Sequence, residues 1–175
     1  MKKQCIILGA LLVMTTGLQG MQALKYDLSA AASSFKMYAL TKEWSDMTNN
    51  AFTQWDTAFA KAKSFVLNNS KNLMGTEDVD LINAMRNAEQ ANTSLLAIIN
   101  KIRGLSDLNA IEQQKTPLEN LRNNIKNFMN NLNNATMMLS SKKEAKEIIL
   151  KIGSELEEMI TSALSSIMWM RKTTR

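Results

Sequence analysis

The stretch 116–139, TPLENLRNNIKNFMNNLNNATMML, decides the fold class. Thr116 reads as an N-cap, Pro117 as the first helical residue, where its missing N–H costs nothing, and Glu119 as the closing member of a capping box. From there Leu118, Leu121, Ile125, Phe128, Leu132, Ala135 and Leu139 recur at spacings of three and four, while Asn, Lys and Arg fill the rest of the surface. Such a stripe is stable only when other helices cover it.

The rest of the chain supplies them. Ser141-Lys142-Lys143-Glu144 is a second capping box, followed by Ala145, Ile148, Ile152, Leu156, Met159, Ala163, Ile167 and Met170 in the same rhythm. The link between these two helices is so short that they must be antiparallel neighbours. Upstream, Gly75-Thr76 with Glu77, Asp78 and Asp80 places a cap and three carboxylates at a helix start, where the helix dipole favours negative charge. A helix over about 77–103 follows, with Leu81 or Ile82, Met85, Ala88, Asn92, Leu95, Ile99 and Ile102 on its stripe and Arg103-Gly104 as a basic last turn and left-handed cap. Ser106 or Asp107 can cap a short helix carrying Leu108 and Ile111. The first segment, about Tyr26 to Asn68, lacks Pro and Gly, and Leu40, Trp44, Met47, Ala51, Trp55, Ala58, Ala62 and Phe65 keep the rhythm. It reads as one long helix whose weakest point, by propensity, is Asp46-Met47-Thr48-Asn49-Asn50, with Asn68-Asn69-Ser70 as its end.

The expected fold is therefore all-α: an elongated antiparallel up-down bundle of four main helices, the long first one continuous or kinked near Asn49. The rival is an extended assembly that completes its core by dimerising. Composition supports the helical reading, because one Pro and six Gly in 175 residues leave too little turn chemistry for a many-stranded β-fold.

The N-terminus has the layout of a secretory signal peptide. Met1-Lys2-Lys3 is a positive start, Cys5 to Met14 is an uncharged apolar run of ten, and Thr15 to Gly20 is small and polar. A retained anchor would need about 20 apolar residues. We expect residues 1–20 to be the signal peptide and 21–175 to be a single helical domain, with cuts after Gly17, Gly20 or Ala23 all allowed by small residues. Localisation is then exported, periplasmic or secreted. Removing Lys2 and Lys3 leaves 19 basic against 16 acidic residues, a mildly basic chain for which nucleic acid is not an expected partner.

Catalytic classes narrow quickly. The chain has no His, and its one Cys lies in the expected leader, so imidazole-based catalysis, thiolate metal sites and disulfides fall away. Two carboxylate clusters remain, Glu77/Asp78/Asp80 and Glu155/Glu157/Glu158. The first suits a helix dipole, and the second reads as an outward, solvated face beside Leu156 and Met159. Thirteen Met read as adaptable core filler in preference to thioether ligands for Cu(I). No catalytic residue, metal ligand or cofactor is assigned.

Three features invite a partner. Phe52 and Phe59 widen the apolar face of the first helix and serve either a partner or a second neighbouring helix. Trp169, Arg171 and Lys172 join aromatic bulk to positive charge, as membrane-surface segments do, or simply cover the bundle base. Eight Asn between Asn120 and Asn134 make either a solvated face or an Asn ladder that binds a partner. Asn92, on a core stripe, reads either as a buried polar residue that fixes helix register or oligomeric state, or as a partly exposed Asn on the bundle edge. The expected function is a non-enzymatic protein-interaction or scaffold module of unknown partner. Membrane-surface binding is the alternative, a carboxylate-only enzyme a remoter one, and homo-oligomerisation remains open.

Overall fold

Around α6 (Ser140–Thr173) lie α1 (Lys2–Tyr38), α2 (Ser45–Ser70), α3 (Thr76–Gly104), α4 (Leu108–Glu112) and α5 (Lys115–Asn134). This computed structural model describes residues 2–38, 45–70 and 76–173, and side chains within 19–37, 47, 49–70 and 79–170; the described residues are helical but for short links. The sequence-derived positions Leu40, Trp44, Glu77, Asp78, Arg171 and Lys172 lie outside the described side chains.

Side-chain pairs set the directions. Lys25 meets Glu147 and Lys36 meets Glu158, so α1 runs parallel to α6. Phe35 meets Phe52 and Asp27 meets Lys61, so α1 and α2 are antiparallel. Trp55 pairs with Asn92 and Lys63 with Glu89, which sets α3 antiparallel to α2. Lys126 pairs with Glu157 across antiparallel α5 and α6. The long helices thus alternate up, down, up, down, up. α1, α2, α3 and α5 form an arc in which each packs on the next, and α6 packs on all of them and on α4.

This corrects the four-helix expectation. The first helix does not run through from Tyr26 to Asn68. Its two described parts are separate helices, α1 to Tyr38 and α2 from Ser45, and they run in opposite directions. A continuous rod would leave the apolar stripes of both halves uncovered beyond the bundle. Folding back puts Phe35 edge-on to Phe52, centroids 4.9 Å apart, and buries Leu28, Ala32 and Phe35. The low-propensity residues around Asn49 are the first turns of α2, where Ser and Asp are favoured, and Met47 is exposed. Asn69 and Ser70 close that helix by donating to the carbonyls of Phe65 and Val66.

Other stripes hold. Leu81, Met85, Ala88, Leu95, Ile99 and Ile102 of α3 are buried, and Ile82 is not. On α5 Leu118 through Leu132 are buried, but the helix ends at Asn134, which leaves Leu139 exposed. These stripes are covered within one chain. The buried surface of α6 is broader than one stripe, since Ile149, Gly153 and Ile160 join Ile148, Ile152, Leu156 and Met159. An apolar surface of that width is what a helix at the centre of an arc requires.

Three expected caps form differently. α5 starts at Lys115, and the first bond of its ladder is Leu118 N–H to Gln114 O at 3.2 Å, so Thr116 and Pro117 sit inside the first turn, where the N–H groups are unpaired anyway. Gln114 donates its side-chain amide back to Ala110 O at 3.2 Å, a consequence of α4 leading almost directly into α5. The cap of α6 likewise moves upstream, from Ser141 by two residues to Leu139, whose carbonyl accepts from Lys143 N–H at 3.0 Å. Gly104 has no positive φ; Leu105 N–H closes the turn onto Ile102 O at 3.1 Å, so no left-handed residue is needed. Asp107 caps α4 as expected, accepting from the N–H groups of Asn109 and Ala110.

α5 and α6 approach closely at Gly153. A Cβ there would lie 2.7 Å from Cγ and Sδ of Met129 and 3.2 Å from Cζ of Phe128. Met129 is partly buried on a flexible stem, and Ala gains about 1 kcal/mol of helix propensity over Gly. Gly153→Ala should therefore cost between about 0 and 2 kcal/mol, the propensity gain offsetting part of the crowding. Gly153→Val, which adds methyls where Phe128 cannot yield, should cost roughly 2–3 kcal/mol. Urea midpoints of the two variants check the contrast.

Candidate functional site: an amide-lined groove between α3 and α5

The carboxylates of α6 serve as struts. Glu155 is 3% exposed, which corrects the expectation of a solvated face. Its Oε1 accepts from Ser29 Oγ of α1 at 2.8 Å and pairs with Lys151 Nζ at 2.6 Å. Glu157 pairs with Lys126 of α5 at 3.2 Å and Glu158 with Lys36 of α1 at 2.5 Å. Glu155 and Glu158 turn toward α1 and Glu157 toward α5, because α6 lies between these two helices at the ends of the arc. Among the described residues no group of three or more His, Cys, Asp or Glu could hold a metal ion.

The Lys36 ammonium, hydrogen-bonded to Glu158, holds that carboxyl below its ordinary value. A carboxyl lowered in the folded state adds stability above its unfolded pKa and loses it as pH falls through the lowered value. Lys36→Met should therefore flatten the acid limb of stability below about pH 4.5, the ordinary carboxyl value. The change is small because Glu158 is largely exposed. Thermal melts between pH 3 and 7 read it.

The sequence-derived contact residues scatter. Phe59 is buried and tilted against Trp55, centroids 6.1 Å apart. Phe52 is half-buried between Phe35 and the Arg103 guanidinium, which lies 5.5 Å from its ring centre. Both are packed by neighbouring helices. Trp169 is 66% exposed near the end of α6, and Met168 beside it is exposed as well. Met37 and Met47, at the end of α1 and the start of α2, are exposed at the same end of the bundle. Among the described residues no helix is long and apolar enough to cross a membrane.

The Asn-rich face of α5 acquires a counterpart. Two contiguous clefts run along the α3–α5 seam and share Asn87, Phe128 and Asn131. One wall is Asn124, Asn127, Asn131 and Asn134 of α5. The other, running the opposite way on α3, is Asn83, Asn87, Gln90 and Ser94. The floor is apolar and small, with Ala84, Ala91, Leu121, Phe128 and Leu132 all buried. Asp80, at one end, is the one charged residue lining either cleft.

Each wall follows from helical spacing: 124, 127, 131 and 134 on one helix and 83, 87, 90 and 94 on the other are separations of three and four, which share a face. Charged residues of α5 lie elsewhere, Lys126 toward Glu157 of α6 and Lys115 toward Glu112. The wall residues are exposed, and among the described residues none of their side chains has a hydrogen-bond partner within the protein. Each carboxamide carries one acceptor oxygen and two donor hydrogens. The groove therefore offers a long double row of uncharged, solvent-facing donors and acceptors, with Asp80 at one end.

The α5 half of this arrangement is visible in the sequence as an excess of Asn. The α3 half is not, because Asn83, Asn87, Gln90 and Ser94 acquire meaning only once α3 lies antiparallel to α5. Compared with known proteins, the chain matches no family model, and no curated protein and no solved structure shows significant similarity to it.

Proposed function

We propose that the protein is an exported, non-enzymatic binding module that engages its partner through the α3–α5 groove. The observation that carries this reading is the pair of facing carboxamide rows with no internal partners, set over an apolar floor. The contrast with α6 supports it, for each of the acidic groups there is already paired with a side chain of a neighbouring helix. A lining without Lys or Arg does not suit nucleic acid, whose phosphates need them. Export rests on the leader-like layout of residues 1–20, and the packing favours a cut that keeps Met21: Gly20 is exposed, whereas Met21 is buried in the core. N-terminal sequencing of the exported form should read Met21 first.

The test of binding compares the exported protein with its Asn124→Ala/Asn127→Ala/Asn131→Ala variant in cross-linking within the native cell. Adducts that map to α3 and α5 and vanish in the variant support the groove. Adducts that persist unchanged, or map elsewhere, remove it. A second reading has its own observation: Met37, Met47, Met168 and Trp169 expose apolar bulk at one end of the bundle, a surface suited to the lipid interface. Flotation with anionic liposomes that is lost in Trp169→Ser would support that reading.

A further inference from the structure

We infer that the groove takes an extended, uncharged peptide segment and holds it through the peptide backbone. This rests on the groove being the binding site. Along α5, Asn124 to Asn134 is ten residues, about 15 Å at 1.5 Å per residue; along α3, Asn83 to Ser94 is about 16 Å. An extended chain advances about 3.3 Å per residue, so the rows span roughly five residues.

The chemistry matches at each position. A peptide unit presents one N–H donor and one C=O acceptor, and a carboxamide can answer both. In an extended segment these groups point alternately to the two sides, so a strand lying in the groove would meet Asn124, Asn127 and Asn131 on one side and Asn87 and Gln90 on the other. Every second side chain would then face the apolar floor, where Ala84 and Ala91 of α3 meet Leu121, Phe128 and Leu132 of α5.

Competing ligands fit less well. A helix has its backbone groups bonded internally and would present side chains to walls that are polar, not apolar. A sugar ring seeks an exposed aromatic face, whereas Phe128, the aromatic of the floor, is buried. An acidic or phosphorylated ligand would find no cation among the lining residues.

The test follows side-chain NH2 signals of the 15N-labelled protein during titration with three probes. They are a blocked Ser-Thr octapeptide, the same peptide methylated at its backbone nitrogens, and cellohexaose. The expected result is movement of the Asn87, Asn124, Asn127 and Asn131 signals with the first probe alone. Asn124→Ala/Asn127→Ala/Asn131→Ala should weaken binding at least tenfold while leaving the backbone spectrum of the core intact, since these positions are exposed. Equal shifts with the methylated peptide overturn backbone recognition. Shifts with cellohexaose alone overturn the peptide and leave the groove standing as a binding site. No shift with any probe overturns both.

Discussion

Trp55→Ala should destabilise the fold by about 4–8 kcal/mol, the largest loss expected of any single substitution considered. Trp55 has no exposed surface and sits where α2 meets α3, and its Nε1–H donates to Oδ1 of buried Asn92 at 2.6 Å. Truncating a buried Trp costs about 3–5 kcal/mol. Leaving the Asn92 oxygen unpaired adds about 1–3 kcal/mol. Together these approach the whole stability of a typical domain, about 5–15 kcal/mol.

A mutant cycle separates the two contributions. Trp55→Phe keeps most of the packing but strands Asn92, and Asn92→Leu strands the indole N–H; each should cost about 2 kcal/mol. The double variant should cost less than the sum by about 1 kcal/mol, because neither partner is then left alone. Urea unfolding followed by circular dichroism measures all three. A Trp55→Ala midpoint within 1 kcal/mol of the parent would show that the bond and the packing around it do not hold α2 to α3.

Glu155→Ala carries the second large effect. Removing the carboxylate strands Ser29 Oγ and empties a site between α1 and α6. The Lys151 ammonium, about a third exposed, can turn to water. A fully buried pair broken on one side costs about 3–5 kcal/mol, and the escape of Lys151 lowers this to roughly 2–3 kcal/mol. Replacing both partners, Glu155→Met with Lys151→Met, should recover much of the loss, since no charge is then abandoned. Glu157→Ala and Glu158→Ala, each breaking an exposed pair, should cost under about 1 kcal/mol. If Glu155→Ala behaves like these two, the strut between α1 and α6 is not what the geometry says it is.

Glu155 also shows where reading the chain linearly stops. Glu155, Glu157 and Glu158 look alike in sequence, and the choice of which one is buried depends on the position of α1. The sequence carries one signal of the packing around it: Ile148-Ile149, Ile152-Gly153 and Met159-Ile160 place apolar or minimal residues side by side. A helix with one covered stripe would not tolerate that, so the width of the apolar surface already marked α6 as central. Asn92 is the opposite case. Its place on the α3 stripe fits a buried residue or one on the bundle edge equally, and only the packing of α2 on α3 buries it and supplies Trp55 as its partner.

Periodicity and caps determine which stretches of this chain become helices and which face of each is apolar, because those features depend on residues three or four apart. Tertiary structure decides what each face meets. The reversal between Tyr38 and Ser45, the central place of α6, the burial of Glu155 and the meeting of two amide rows across α3 and α5 all depend on groups far apart in sequence. Their free energies exist only after the helices have chosen neighbours. A helix can therefore be read from a local pattern, whereas a groove is shared between two of them and is encoded in neither alone.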